Sequence, residues 1–147
     1  MFGKTMIPIV RRHWGAWIAL SLGLALHVVD EALTDFLSVY NPTVEAIRNR
    51  FPYVPLPTFT FEIWIAGLIF AVILLLSLSS LIIRSRKWSV PISYGLAAIM
   101  LMNGLLHIGG SLYLGRLMPG VYSSPVLIGV SIYLLKQAYQ RRRVDVG

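Results

Sequence analysis

The sequence predicts an all-α membrane protein, a bundle of four transmembrane helices with both termini in the cytoplasm. Of the 147 residues, 56% are hydrophobic and the mean hydropathy is +0.72, which is too apolar for a soluble domain of this length. Four apolar segments are each long enough to cross a bilayer. The basic residues occur in short clusters beside these segments, as they do in the connections of membrane proteins.

The apolar segments predict the boundaries of the helices and of a single membrane domain over residues 1–147. We expect transmembrane helices at about residues 14–33, 61–83, 90–113 and 121–139, because each segment is dominated by Leu, Ile, Val, Ala and aromatic residues. Residues 34–60 then form the long connection on the external side.

The distribution of lysine and arginine predicts the orientation. Ten of the thirteen basic residues fall on the side of the two termini, and only Arg48, Arg50 and Arg116 fall on the other side. Because cytoplasmic connections are enriched in Lys and Arg, this bias places both termini in the cytoplasm. It also accounts for the net charge of +7 without a basic face, so we expect no nucleic-acid partner.

The external connection contains two further signals. Asn41 can cap a short helix that has Pro42 in its first turn, and we expect this helix to lie at the membrane surface. Residues 51–57 contain three prolines and cannot continue a helix. We expect them to form an extended lid over the mouth of the bundle.

Polar residues interrupt the first and third helices near their outer ends. His27, Asp30 and Glu31 have helical spacings i, i+3 and i+4, which predicts that they share one face of the first helix. Asn103 and His107 are likewise four residues apart in the third helix. Ionisable residues inside a membrane segment are costly and usually face a bundle interior, so these residues are candidates for a site.

Helix geometry brings the two histidines to a similar depth. At ~1.5 Å per residue, His27 lies about 10 Å below Thr34, and His107 lies about 9 Å below Tyr113. A polar pocket in the outer, extracytoplasmic half of the bundle follows from this match. We expect four residues to contact a substrate there: Asn103, Glu62, Tyr122 and Ser123. Glu62 also has an ordinary explanation, because a carboxylate is favoured in the first turn of a helix.

The residue types predict the chemistry of the pocket. Two imidazoles and a carboxylate are a common ligand set for zinc or non-haem iron, so His27, Glu31 and His107 are candidate metal ligands and catalytic residues. Asp30 is a candidate general acid/base or further ligand. Cysteine ligands are excluded because the chain has no cysteine. The alternative is a hydrogen-bond network that joins two helices without chemistry.

These residues carry a resemblance to a known family. The chain resembles the HXXEE family of small membrane proteins, which has a His-x-x-Glu-Glu motif, a second histidine and a Tyr-x-Pro-Gly motif. Residues 27–31 match the first motif with Asp30 replacing a glutamate, and His107 corresponds to the second histidine. Residues 117–120 match the third motif, but Leu117 replaces the tyrosine. The resemblance supports the grouping of these residues and supplies no reaction.

The sequence favours a membrane-embedded enzyme that acts on a lipid, an isoprenoid or another apolar small molecule. Metal-assisted hydrolysis fits the polar residues, and so does acid-base isomerisation or cyclisation. A small proton-coupled transporter is the alternative, although the bias in basic residues excludes insertion in both orientations. A membrane accessory subunit without chemistry is a third hypothesis, which predicts polar residues that are fully hydrogen-bonded and have no cavity beside them.

The predicted orientation can be tested with a reporter fused after Gly147. We expect a reporter that works only in the cytoplasm to be active in this fusion, because ten of the thirteen basic residues lie on the side of the termini. A second fusion within residues 41–60 serves as the control and should report an external position. An external signal from the first fusion would contradict the predicted topology.

Overall fold

The computed structural model describes the backbone of residues 3–84 and 86–146, with side chains within 7–144 other than 83, 85 and 86. Its helices are α1 (Gly3–Leu33), α2 (Leu37–Arg50), α3 (Phe61–Arg84), α4 (Arg86–Leu114) and α5 (Ser124–Val146). The described residues form no strand, so the predicted all-α class is confirmed.

Three helices in the described part of the chain are long and apolar enough to cross a membrane. The candidate spans are Ile7–Leu33 in α1, Phe61–Ile82 in α3 and Lys87–Leu114 in α4. In α5, by contrast, only about 18 Å of helix separates Ser124 from Lys136, whereas the hydrocarbon core of a bilayer is ~30 Å thick. Three of the four predicted spans therefore have the required length and composition, and a fourth crossing by α5 stays a prediction.

The interior of the bundle is built mainly from α1, α4 and α5. Helix α5 packs against both α1 and α4, and α3 packs chiefly against α1. The centre is a cluster of fully buried apolar side chains: Ala16, Trp17, Leu20, Ile82, Ala97, Leu127 and Leu134. This cluster fills the bundle below the polar residues predicted to form the site.

Helix α3 contributes little to this interior. Only 6% of its most apolar window is buried inside the protein, so most of its surface is available to lipid. It is joined to α1 by a hydrogen bond from the Trp17 indole Nε1 to the Leu75 carbonyl oxygen, 2.8 Å long. Because a lipid-exposed helix must satisfy its polar groups internally, a large aromatic residue with one polar atom suits this contact.

The connection between α1 and α3, residues 34–60, is more helical than the sequence indicates. The chain turns at residues 34–36, where Asp35 adopts a positive φ of 56°, and α2 begins at Leu37. Aspartate tolerates this left-handed conformation better than most residues. After the turn, α2 lies beside α4, and the two helices line one cavity.

The predicted capping role of Asn41 is wrong, because Asn41 lies inside α2 rather than before it. Its side chain instead holds the chain that enters α3: Nδ2 donates to the Phe59 carbonyl oxygen at 2.9 Å, and Oδ1 accepts from the Phe59 amide at 3.1 Å. Pairing with a distant backbone segment outweighs the local preference of asparagine for a cap.

The predicted lid does not cover the bundle. The residues after α2 are non-helical, as expected, but Tyr53 is 97% exposed and points away from the protein. The aromatic cover comes from Phe36, which precedes α2 and stacks on Trp64 of α3 with 5.8 Å between ring centroids. Phe36 also lies 5.8 Å from His107 between ring centroids, so the residue before α2, rather than the proline-rich stretch, provides an aromatic cover for the site.

Candidate functional site

The first part of the site is the face of α1 that is buried in the bundle. His27 and Glu31 are four residues apart, so their side chains leave the same face of the helix and point into the bundle. His107 reaches the same point from α4. The side chains of His27, Glu31 and His107 are 0%, 8% and 6% exposed, so the structure brings together the three predicted metal ligands in a buried cluster.

One carboxylate oxygen links the two histidines. Glu31 Oε1 lies 3.1 Å from His107 Nε2 and 3.5 Å from His27 Nε2. The two imidazole rings meet edge to face, with 4.8 Å between their centroids. One potential ligand atom from each residue lies within 4.8 Å of those of the other two.

Asp30 occupies a different position from Glu31. Its Oδ2 accepts two hydrogen bonds of 2.8 Å from Ser123, one from the amide and one from the hydroxyl. Ser123 Oγ is also 2.8 Å from His27 Nδ1. Asp30 is thus placed outside the three-residue cluster and touches His27 only through Ser123, which was predicted to contact substrate.

The loop between α4 and α5 closes the cluster on its outer side. Gly120 has a positive φ of 80°, and a Cβ atom at this position would lie 2.9 Å from Glu31 Cγ and 3.0 Å from His107 Cε1 and Nδ1. Its amide donates to Thr34 Oγ1 at 3.2 Å, and its carbonyl oxygen accepts from Ser124 Oγ at 2.7 Å. Position 120 therefore needs a glycine for two reasons: its backbone has a positive φ, and Glu31 and His107 leave no room for a Cβ atom.

A cavity of about 310 Å³ adjoins the cluster between α2 and α4. Its lining is mostly apolar and includes both polar residues predicted for the third helix: Phe36, Val39, Tyr40, Thr43, Asn103, Leu106, His107 and Met118. His107 belongs both to the cluster and to the cavity wall. It is therefore the buried histidine that a molecule in the cavity would meet.

Three of the four predicted contact residues lie away from the cavity: Glu62, Tyr122 and Ser123. Glu62 is exposed in the first turn of α3, and no described hydrogen bond or ion pair joins it to the cluster. Tyr122 is 66% exposed and lines a separate groove of about 290 Å³ with Asp30 and Ser123. This groove lies on the other side of His27, between α1 and α5.

A second buried polar cluster was not predicted. His13 is fully buried in the inner half of α1, where its Nε2 lies 2.9 Å from Ser93 Oγ. Arg141 donates from Nη1 to His13 Nδ1 at 3.0 Å and to the Ile82 carbonyl oxygen at 2.7 Å. The sequence held a signal for His13: it precedes His27 by 14 residues, about four helical turns, and so lies on the same face of α1.

Comparison with known proteins gives one match. A family model described as a protein of unknown function with HXXEE motif matches residues 17–134. The matched region contains both histidines of the cluster, both carboxylates of the motif and Gly120. No curated protein and no solved structure matches the chain.

The close approach at Gly120 generates a stability prediction. We expect Gly120→Ala to lower the free energy of unfolding by about 2–4 kcal/mol, because alanine is strained at positive φ and its Cβ would press on Glu31 and His107. Thermal and denaturant unfolding in detergent measure the change.

Gly109→Ala is the matched control, because Gly109 is helical and exposed and a Cβ there meets no atom within 4 Å. This control should change stability by less than ~1 kcal/mol. Equal stability of the two variants would contradict the role assigned to Gly120.

Proposed function

Because the chain belongs to the HXXEE family, whose description gives no reaction, we propose its function from the geometry of the site. The protein is a membrane-embedded enzyme that acts on a lipid, an isoprenoid or another apolar small molecule. His27, Glu31 and His107 form the reacting centre, and the chemistry is acid-base or metal-assisted.

A single observation carries this proposal: a buried group of three ionisable side chains borders an apolar cavity. Burying an ionisable group in a membrane protein is costly, and such groups usually mark a functional site. Pockets that bind small molecules are mostly apolar, with a few polar groups that orient the ligand. The cavity beside His107 has this composition, because its only polar side chains are Tyr40, Thr43, Asn103 and His107.

The cavity supports an apolar substrate. Leu106 contributes to its wall and is also 64% exposed, so the cavity borders the surface that faces lipid. A molecule can therefore enter from the bilayer between α2 and α4 without crossing water. Its apolar part would contact Phe36 and Val39, and its reacting group would lie near His107 and Asn103.

The roles of the side chains follow from their positions. His107 would touch the substrate, because it lies on the cavity wall, and Glu31 holds His107 through a contact of 3.1 Å. A histidine paired with a carboxylate is a common general acid or base, and a positioned group of this kind contributes ~10²–10⁴ to a rate. Hydrolysis, isomerisation and cyclisation all use such a group. The bias in basic residues supports a position for it in the extracytoplasmic half of the membrane.

Two alternatives fit the geometry less well. An accessory subunit without chemistry predicts saturated hydrogen bonds, yet His27 Nε2 and His107 Nδ1 make none with the described residues. A carrier requires a route toward the opposite side of the membrane, but the interior below the cluster is filled by apolar side chains such as Trp17, Leu20 and Leu127. The enzyme hypothesis gives a role both to these two nitrogens and to the cavity between α2 and α4.

The proposal predicts turnover that depends on Glu31. Purified protein in nanodiscs should convert at least one component of a total lipid extract, with products identified by liquid chromatography and mass spectrometry. Glu31→Gln keeps the size of the side chain but removes the carboxylate, so we expect turnover to fall by ~10²-fold or more.

Glu45→Gln is the matched control, since it makes the same change at an exposed position in α2 and should leave turnover unchanged. The melting temperatures of both variants show whether the fold is retained. Undiminished turnover in a folded Glu31→Gln variant would exclude the cluster as the reacting centre.

A further inference from the structure

We infer that His27 Nε2, His107 Nε2 and Glu31 Oε1 are the ligands of a divalent transition-metal ion of the zinc type, and that Asp30 and Ser123 position His27 for this role. The inference rests on the proposed function, because it names the cofactor of the same reacting centre. It is carried by the hydrogen bonds around His27 and by the spacing of the three ligand atoms.

The first step concerns the hydroxyl of Ser123. This hydroxyl has one proton and lies 2.8 Å from Asp30 Oδ2 and 2.8 Å from His27 Nδ1. A carboxylate oxygen can only accept, so the Ser123 hydroxyl donates to Asp30. Ser123 Oγ must then accept from His27, which places a proton on His27 Nδ1.

The second step concerns the opposite side of the His27 ring. In a neutral imidazole with its proton on Nδ1, Nε2 carries a lone pair. His27 Nε2 is buried, makes no hydrogen bond within the described part of the chain and lies 3.5 Å from Glu31 Oε1. Two electron-pair donors therefore face each other in a buried space, and such an arrangement needs a proton or a metal ion between them.

The spacing of the atoms fits a metal ion. Ligands at 2.0–2.1 Å from a tetrahedral zinc ion are about 3.3 Å apart. The two contacts of Glu31 Oε1, at 3.1 Å to His107 Nε2 and 3.5 Å to His27 Nε2, lie on either side of this value. Two histidines and one glutamate are also a ligand set of catalytic zinc sites, which leave one position open.

The surroundings of His27 match those of a metal-binding histidine. Such a histidine usually donates its other ring N–H to a second residue, which fixes the tautomer and the orientation of the ring. Ser123 fills this role, and Asp30 holds Ser123 through both its hydroxyl and its amide. Asp30 is therefore a positioning residue rather than a metal ligand.

Direct metal titration tests the inference. Wild-type protein is purified in detergent, stripped with EDTA, dialysed and titrated with Co²⁺ and then with Zn²⁺. We expect about one ion per chain, visible d–d absorption typical of low-coordinate Co²⁺, and loss of that absorption when Zn²⁺ displaces cobalt. Elemental analysis of unstripped protein distinguishes zinc from iron as the resident metal.

Variants of the ligands separate a site from adventitious binding. His107→Gln and Glu31→Gln should each abolish stoichiometric binding. His13→Gln and Glu45→Gln are the matched controls, since His13 is a buried histidine on the same face of α1 and Glu45 is an exposed carboxylate. Both controls should bind one ion, and melting temperatures confirm that each variant is folded.

A variant of Ser123 tests the positioning role. Ser123→Ala should weaken Co²⁺ binding by ~10–100-fold, as expected for the loss of an outer partner of a metal-binding histidine. Ser123→Thr keeps the hydroxyl and should restore most of the affinity. A purely structural role would lower the melting temperature of Ser123→Ala without changing its affinity for Co²⁺.

The outcomes distinguish the two proposals. Folded wild-type protein that binds neither ion, or binding that survives His107→Gln, overturns the metal site and leaves a shared proton between Glu31 and His27. Turnover that is insensitive to EDTA in such a protein retains the proposed function without the metal. Stoichiometric metal binding without turnover of any lipid retains the metal site and overturns the proposed function.

Discussion

The structure depends on one carboxylate, Glu31, buried between two histidines that come from different helices. Its Oε1 lies 3.1 Å from His107 Nε2 and 3.5 Å from His27 Nε2, and a buried carboxylate needs such neighbours, or a cation held by them, to offset its loss of solvation. These contacts fix α1 and α4 at one depth relative to each other, and the loop over Gly120 then has to fit the space that remains. Removing one partner would leave a buried charge without compensation, so the cluster and the outer half of the bundle are formed together.

The sequence predicted the parts of the fold that depend on long apolar segments. The candidate spans in α1, α3 and α4 require only length and hydropathy, which are read directly from the residues. Asn41 was misassigned as a helix cap because the residue that its side chain pairs with, Phe59, is distant in sequence. The lid was misplaced for a similar reason. The sequence shows that aromatic residues are available to cover the site, but it does not show that Phe36 rather than Tyr53 does so.

The candidate site, too, was predicted in part from the sequence and missed in part. Equal depth of His27 and His107 followed from helix rise, and the structure places their rings 4.8 Å apart. The grouping of Glu62 with the site rested on depth alone, and depth does not determine which way a helix is rotated. The inner cluster of His13 and Arg141 was missed because a lone histidine near a helix end carries no motif, although its position on the stripe of His27 is visible in the sequence.

The two adjacent carboxylates of the motif have different neighbours because successive residues of a helix are rotated by about 100°. Glu31 lies on the stripe of His27 and reaches the centre of the bundle, whereas Asp30 turns toward α5. There its carboxylate accepts the amide of Ser123, immediately before the first residue of α5, where a negative charge interacts favourably with the helix dipole. Sequence spacing alone placed both carboxylates on one face, but the rotation excludes a common role. One carboxylate joins the buried cluster with His27 and His107, and the other accepts hydrogen bonds from Ser123, whose Oγ lies 2.8 Å from His27 Nδ1.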